Sequence, residues 1–112
     1  MDNYLDSFFG AISDPTRRAV IERLVHGPAP VSELHAPHDI ALPSFLKHLK
    51  VLEAAGLVRS IKVGRVRTVH LEAAPLAKAE HWLERQRRIW EGRTDRLAAL
   101  AEALERQDKP KG

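Results

Sequence analysis

Apolar residues recur at helical spacing through the first third of the chain. Four of them share one face and predict a first helix over 3–12: Leu5, Phe8, Phe9 and Ile12. Asp14-Pro15 then joins an N-cap acceptor to a proline at the first helical position. This pair predicts a second helix that runs to about His26 and is ended by Gly27.

Two more helices are predicted between the second helix and the middle of the chain. A short one covers 31–35 after Pro30, and a longer one begins at Pro43 and ends at Gly56. On a helical wheel the longer helix has an apolar face, expected in the core, made of Phe45, Leu49 and Leu52. Its opposite strip contains Pro43, Lys47, Lys50 and Ala54.

The period changes from helical to alternating after Gly56. Two runs rich in β-branched residues, 57–63 and 66–71, meet at Gly64-Arg65 and predict a two-stranded β-hairpin. Apolar and basic residues alternate along both runs. Successive side chains of a strand point to opposite faces, so one face of the hairpin is expected to be basic.

A long final helix is predicted over 75–106. Nine positions alternate by three and four, close to a coiled-coil seam, and seven of them are apolar: Leu76, Ala79, Leu83, Gln86, Trp90, Arg93, Leu97, Leu100 and Leu104. Such a seam indicates pairing with another helix.

Positive charge is concentrated between Ala41 and Leu71. Six basic residues and one acidic residue give this segment 6 − 1 = +5, against +3 for the whole chain: Lys47, Lys50, Arg59, Lys62, Arg65 and Arg67 against Glu53. A helix beside a basic hairpin fits a DNA duplex, with the helix in the major groove and the hairpin along a backbone. We therefore interpret this segment as a DNA-reading surface.

Size and composition limit the class of protein. A chain of 112 residues with 44% hydrophobic and 29% charged residues is typical of one globular domain. With no cysteine, disulfides, thiolate metal ligands and thiol redox sensing are excluded. No apolar run reaches the roughly 20 residues of a membrane span, and no basic secretory leader precedes the first helix. We expect a cytoplasmic protein with no membrane partner.

Several motifs resemble the ArsR/SmtB family of winged helix-turn-helix bacterial repressors. They are DPTRR, VSEL, LPSFLKHLKVLEAAGLV, the hairpin KVGRVRTVHL and a tryptophan-bearing last helix, and KHLKVLEAAGLV is the most specific. The resemblance implies one mainly α winged helix-turn-helix domain over 1–112, with about five helices and a two-stranded wing. It also implies a recognition helix at 42–55, a wing at 57–71 and a homodimeric repressor on a palindromic operator.

The charge pattern and the resemblance together predict the functional residues. DNA-binding residues are expected to be Ser44, Lys47, His48, Lys50, Lys62, Arg65, Arg67 and Arg17. Arg17 and its neighbour Arg18 follow a helix N-cap, and one of them is equally expected to pair inside the protein. The resemblance makes 1–13 and 75–106 the dimerisation helices, with contacts expected from Leu5, Phe8, Phe9, Leu83, Trp90, Leu97, Leu100 and Leu104.

The recognition helix departs from the family pattern at two positions. Leu46 stands where a serine commonly precedes the Lys-His pair, and Ala41 stands where a serine often opens the helix. Leu46 is expected either to touch a thymine methyl group or to pack under the wing. The basic residues remain, so DNA binding is still predicted.

Two other interpretations remain open from the sequence. A metal-responsive repressor would use His81 and Glu84, three residues apart on the last helix, although carboxylates and imidazoles at this spacing are usually ordinary surface residues. Alternatively, the winged fold is a protein-interaction module that recruits a partner through its last helix. No nucleophile elbow or phosphate-binding glycine loop is present, so neither an enzyme nor a cofactor is expected.

Overall fold

The computed structural model describes residues 3–108, and the side chains of residues 4–107. The fold is mainly helical, with five helices and one three-stranded antiparallel sheet. In chain order the elements are α1 (Asn3–Ala11), α2 (Pro15–Leu24), β1 (Ala29–Pro30), α3 (Val31–His35), α4 (Leu42–Ala54), β2 (Val58–Val63), β3 (Val66–Leu71) and α5 (Ala74–Asp108). The described residues form two compact units, 3–79 and 80–108.

The core of the first unit is built from apolar faces that the sequence pattern predicts. Phe45 and Leu52 of α4 are completely buried and Leu49 is nearly so, which confirms the predicted inner face of that helix. They join Val20 and Leu24 of α2 and residues from the sheet in one cluster. Burying each large side chain is worth about 1.5–3 kcal/mol, so this cluster supplies most of the driving force for folding this unit.

Local signals fix the ends of the two longest helices of this unit. The Asp14 carboxylate accepts a hydrogen bond of 3.1 Å from the Arg17 amide, which confirms the predicted N-cap of α2. At the end of α4, the Leu57 amide bonds the Leu52 carbonyl at 3.0 Å and the Gly56 amide bonds the Glu53 carbonyl at 2.9 Å. This is a Schellman motif, and Gly56 provides the positive φ of 72° that it requires.

The sheet has the strand order β1-β3-β2. β2 and β3 form the predicted hairpin, in which Val58 pairs with Leu71 and Val63 with Val66. Gly64 occupies the first position of the two-residue turn with φ 63°, as a type II′ turn requires. The sequence pattern missed β1, because two residues that include a proline are too short to show an alternating period.

Two helix ends differ slightly from the predictions. α2 ends at Leu24 rather than near His26, because the chain already turns at Val25 and His26 before Gly27. α5 begins at Ala74 and reaches Asp108, within two residues of the predicted bounds. Within 3–108, no helix has both the length and the apolar character that crossing a membrane requires.

Candidate nucleic-acid interface

The outer face of α4 presents two lysines and a serine to solvent. Lys47, Lys50 and Ser44 are all exposed, on the side of the helix opposite its buried residues. No side chain caps the helix at Ala41, which has no polar atom to offer. The Leu42 and Ser44 amides therefore receive no bond from a described side chain, and they lie in the same turn as the Ser44 hydroxyl. Pro43 has no N–H, and the Phe45 amide bonds the Ala41 carbonyl at 3.0 Å.

The wing places three further cations on the surface. Arg65 lies at the tip of the β2–β3 turn, and Lys62 and Arg67 lie directly opposite each other across the two strands. All three side chains are exposed. Like charges directly opposite each other in an antiparallel pair destabilise a hairpin, so the isolated protein gains nothing from this arrangement. A bound polyanion would remove the repulsion.

Five cations of this surface have no counter-ion among the described residues. In the described part of the chain, no ion pair involves Lys47, Lys50, Lys62, Arg65 or Arg67, and these five are all exposed. By contrast, Arg23 pairs with Glu33 at 2.9 Å, and Arg59 pairs with Glu72. The one acidic residue of the basic segment, Glu53, accepts a hydrogen bond of 2.6 Å from Ser60 and links α4 to β2.

Arg17 does not lie free on this surface. Its Nε donates to the Ala11 carbonyl at 2.7 Å, Nη2 donates to the Gly10 carbonyl at 3.3 Å, and Nη1 lies 2.9 Å from His48 Nδ1. Arg18 Nη1 donates to the Ile12 carbonyl at 2.8 Å. Both arginines therefore hold the α1–α2 turn, and Arg17 also connects that turn to α4.

Asp14 completes this group of residues. Its Oδ2 lies 3.8 Å from His48 Nδ1. Desolvation raises the pKa of Asp14, but the hydrogen bond from the Arg17 amide and the positive charge of the Arg17 guanidinium outweigh it. The net pKa of Asp14 is lowered. The carboxylate is thus stabilised in its charged, capping form.

The turn between α3 and α4 is organised by two histidines. The His35 Nε2–H donates to the Ile40 carbonyl at 2.7 Å. The rings of His35 and His38 lie 5.2 and 5.6 Å from the ring of Phe45, centre to centre. Both histidines therefore pack against Phe45, the buried residue in the first turn of α4.

Leu46 is partly buried and packs against the core cluster. Both expectations for this residue, a contact with a thymine methyl group and packing under the wing, stay predictions. The exposed face of α4 keeps Lys47 and Lys50 as its long polar side chains.

The predicted dimer residues fall into two groups. On α5, five apolar side chains are each more than half exposed: Leu83, Trp90, Leu97, Leu100 and Leu104. Ile89, which the three-and-four spacing omitted, is 65% exposed at the edge of the same stripe. On α1, Phe9 is exposed at 36%, but Phe8 is buried and Leu5 packs against the core. Phe8 and Leu5 pack in or against the core of their own protomer, so little of their surface is exposed to a partner.

The candidate metal ligands lie in a different setting from the one that a metal needs. His81 is exposed, and Glu84 is bound by Arg87 at 2.6 Å and Arg88 at 2.9 Å. Hydrogen bonds from Arg87 and Arg88 lower the pKa of Glu84. Residues 3–108 contain no group of three histidine or acidic residues that could hold a metal ion. No feature described here favours the metal-responsive interpretation.

Comparison with known proteins agrees with this architecture. A family model of a helix-turn-helix domain matches residues 12–61. The chain is 40% identical to the HTH-type transcriptional regulator Rv2034 of Mycobacterium tuberculosis over 80 residues, which are 71% of this chain and 75% of the relative. It is 28% identical to the transcriptional repressor SdpR of Bacillus subtilis over 79 residues, or 70% and 88% of the two chains.

The fold is also similar to that of a solved structure. The crystal structure of the ArsR family transcriptional regulator RHA00566 superposes with a TM-score of 0.78 at 50% sequence identity, and the match covers 81% of this chain and 94% of that one. Helix-turn-helix regulators of this kind bind DNA and are not enzymes. The winged helix-turn-helix fold and these relatives together show that the chain belongs to the ArsR family of transcriptional regulators.

Proposed function

We propose that this protein is a cytoplasmic transcriptional repressor that binds a palindromic operator as a homodimer. α4 is the recognition helix in the major groove, and β2–β3 is the wing along the adjacent backbone. The curated relative SdpR is itself a transcriptional repressor, which supports this direction of regulation. DNA-binding helix-turn-helix dimers read two half-sites about 34 Å apart, or a multiple of that distance, and we expect this spacing here.

The observation that carries the proposal is the set of five exposed cations without counter-ions on α4 and the wing. A protein that neutralises phosphates with such side chains releases condensed counter-ions, and this release drives binding. Lys47 and Lys50 are long enough to reach phosphate oxygens or guanine edges. Arg65 at the wing tip would reach a phosphate or the adjacent minor groove, while Lys62 and Arg67 would lie along the backbone.

The apolar stripe of α5 supports the dimer. An exposed row of leucines with a tryptophan is unfavourable in water, and a second copy of the same stripe would cover it. The stripe consists of Leu83, Trp90, Leu97, Leu100 and Leu104, with Ile89 at its edge. Phe9 of α1 remains a candidate contact, whereas the buried Phe8 and Leu5 are left out of the proposed interface.

The test is selection of duplexes from a random library with the purified full chain, followed by fluorescence anisotropy on the selected sequence. We expect the selected sequences to form an inverted repeat and the affinity to fall steeply with salt. Enrichment of no sequence, or salt-independent binding, would contradict the proposal and favour a protein-interaction module. Added zinc or nickel should leave the affinity unchanged.

A further inference from the structure

Arg17, Asp14 and His48 form a small polar cluster between the α1–α2 turn and the recognition helix. The 2.9 Å contact joins Arg17 Nη1 to His48 Nδ1. A guanidinium has only donors, so Nδ1 of the imidazole must be the acceptor. In a neutral ring the proton then resides on Nε2, and the arginine selects one of the two histidine tautomers.

The other ring nitrogen of His48 faces solvent. Nε2 has no hydrogen-bond partner among the described residues. Every buried side-chain nitrogen or oxygen atom of those residues does have a partner, so Nε2 is not buried. Nε2 is therefore accessible, as the 24% exposure of the side chain also indicates. His48 lies between Lys47 and Lys50 in the sequence of α4, and its Nε2–H has no acceptor among residues 3–108.

From this arrangement, and given the proposed function, we infer that Arg17 is a positioning residue that holds His48 as a neutral Nε2–H donor to a DNA phosphate. Arg17 was expected to contact DNA itself. Instead its Nε and Nη2 bind the Ala11 and Gly10 carbonyls, so the guanidinium is anchored to the α1–α2 turn. The hydrogen bond from His48 to phosphate is directional, whereas the attraction of the two neighbouring lysines to phosphate is not.

The tautomer can be measured without DNA. Two-bond ¹H–¹⁵N correlation spectra of the labelled full chain at pH 8 should show an unprotonated Nδ1 and a protonated Nε2 for His48. In Arg17→Met the selection should be lost, and the two nitrogens should report a mixture of tautomers. A wild-type His48 that carries its proton on Nδ1 would overturn the inference.

Two substitutions at His48 separate the two ring nitrogens. Asparagine places its amide oxygen near the Nδ1 position, where it can still accept from Arg17, but it has no group at Nε2. Glutamine places its amide nitrogen near the Nε2 position. His48→Asn should therefore melt within a degree or two of wild type and bind the operator roughly ten- to a hundredfold more weakly per protomer, the usual range for a hydrogen bond to a charged group.

His48→Gln should keep the affinity within about twofold of wild type, because the distal donor is retained. If His48→Asn binds as tightly as wild type, the phosphate contact does not exist. If both variants melt early and the folded fractions bind normally, His48 is only a packing residue, and the inference is wrong.

The salt dependence distinguishes positioning from direct contact. Arg17→Met should weaken operator binding by about the same factor as His48→Asn, and the double variant should lose little more, because both changes remove one contact. The slope of log affinity against log salt should stay at its wild-type value. A slope that becomes shallower by about one per protomer would show that Arg17 itself neutralises a phosphate, and would overturn its positioning role.

The two proposals fail in different ways. A wild-type protein that binds no duplex would overturn the proposed function, and with it the phosphate contact, while the tautomer would still be measurable in the spectra. Normal wild-type binding that His48→Asn leaves unchanged would overturn the contact alone.

Discussion

Among single residues, Asp14 both caps a helix and contacts a residue of the candidate interface. It caps α2 through the Arg17 amide, and it lies beside His48 of α4. The lowered pKa of Asp14 means that the folded state prefers the carboxylate. Its stabilising contribution is therefore complete above the ordinary pKa of about 3.9, and is lost as the pH falls through the lowered value.

Asp14→Ala should reduce the free energy of unfolding by about 0.5–2 kcal/mol at pH 7, the usual range for a lost N-cap. The difference from wild type should shrink when urea unfolding is repeated near pH 3. Asp14→Asn is the matched control, because asparagine caps helices as well as aspartate but does not titrate. A difference that grows on acidification would contradict the cap.

At the scale of elements, the wing combines two requirements that oppose each other. Lys62 and Arg67 face each other across β2 and β3, so the surface that we propose to bind DNA also destabilises the hairpin. Lys62→Glu converts the repulsive pair into an attractive one. It should raise the free energy of unfolding by about 0.2–1 kcal/mol while weakening operator binding.

A double variant in which both charges are reversed provides the control for this prediction. Lys62→Glu with Arg67→Glu restores a like-charge pair, so the gain in stability should disappear while DNA binding falls further. Chemical denaturation and anisotropy measure the two quantities separately. Tighter operator binding by Lys62→Glu would show that the wing does not meet the phosphate backbone.

The same elements show which parts of the fold are readable from sequence. The inner face of α4, the Asp14-Pro15 start and the Gly64-Arg65 turn depend on residues close together in the chain, and the structure confirms them. The sequence pattern did not predict β1, because two residues are too few to show an alternating period. The contact between Arg17 and His48 was not predicted, because the two residues lie 31 positions apart and no local pattern indicates such a contact.

Amphipathic spacing also left one ambiguity that only packing resolves. Leu5, Phe8 and Phe9 have the same apolar character, yet α1 turns Phe8 into the core and leaves Phe9 at 36% exposure. The period identifies an apolar face but does not say whether the same chain or a second copy will cover it. On α5 the corresponding apolar side chains remain exposed.

For the molecule as a whole, the proposed binding to a palindrome requires a second copy of the chain. Leu97→Glu places a charge in the middle of the exposed stripe of α5, where pairing would bury it without a partner. We expect sedimentation equilibrium to report a monomer, and operator binding to be greatly weakened. Ala99→Glu adds the same charge on the opposite side of the helix and should leave the dimer intact. A Leu97→Glu dimer would place the interface elsewhere.

The most direct test of the central claim is the salt dependence of operator affinity for wild type and Lys47→Ala. Each phosphate contact contributes about one to the slope of log affinity against log salt, so a symmetrical dimer should lose about two with this variant. Its melting temperature should change by no more than about a degree or two, since Lys47 is exposed and has no ion pair among the described residues. Arg106→Ala removes the same charge from an exposed position at the end of α5 and should leave the slope unchanged. A Lys47→Ala slope equal to that of wild type would contradict the assignment of α4 and the wing as the DNA-binding surface.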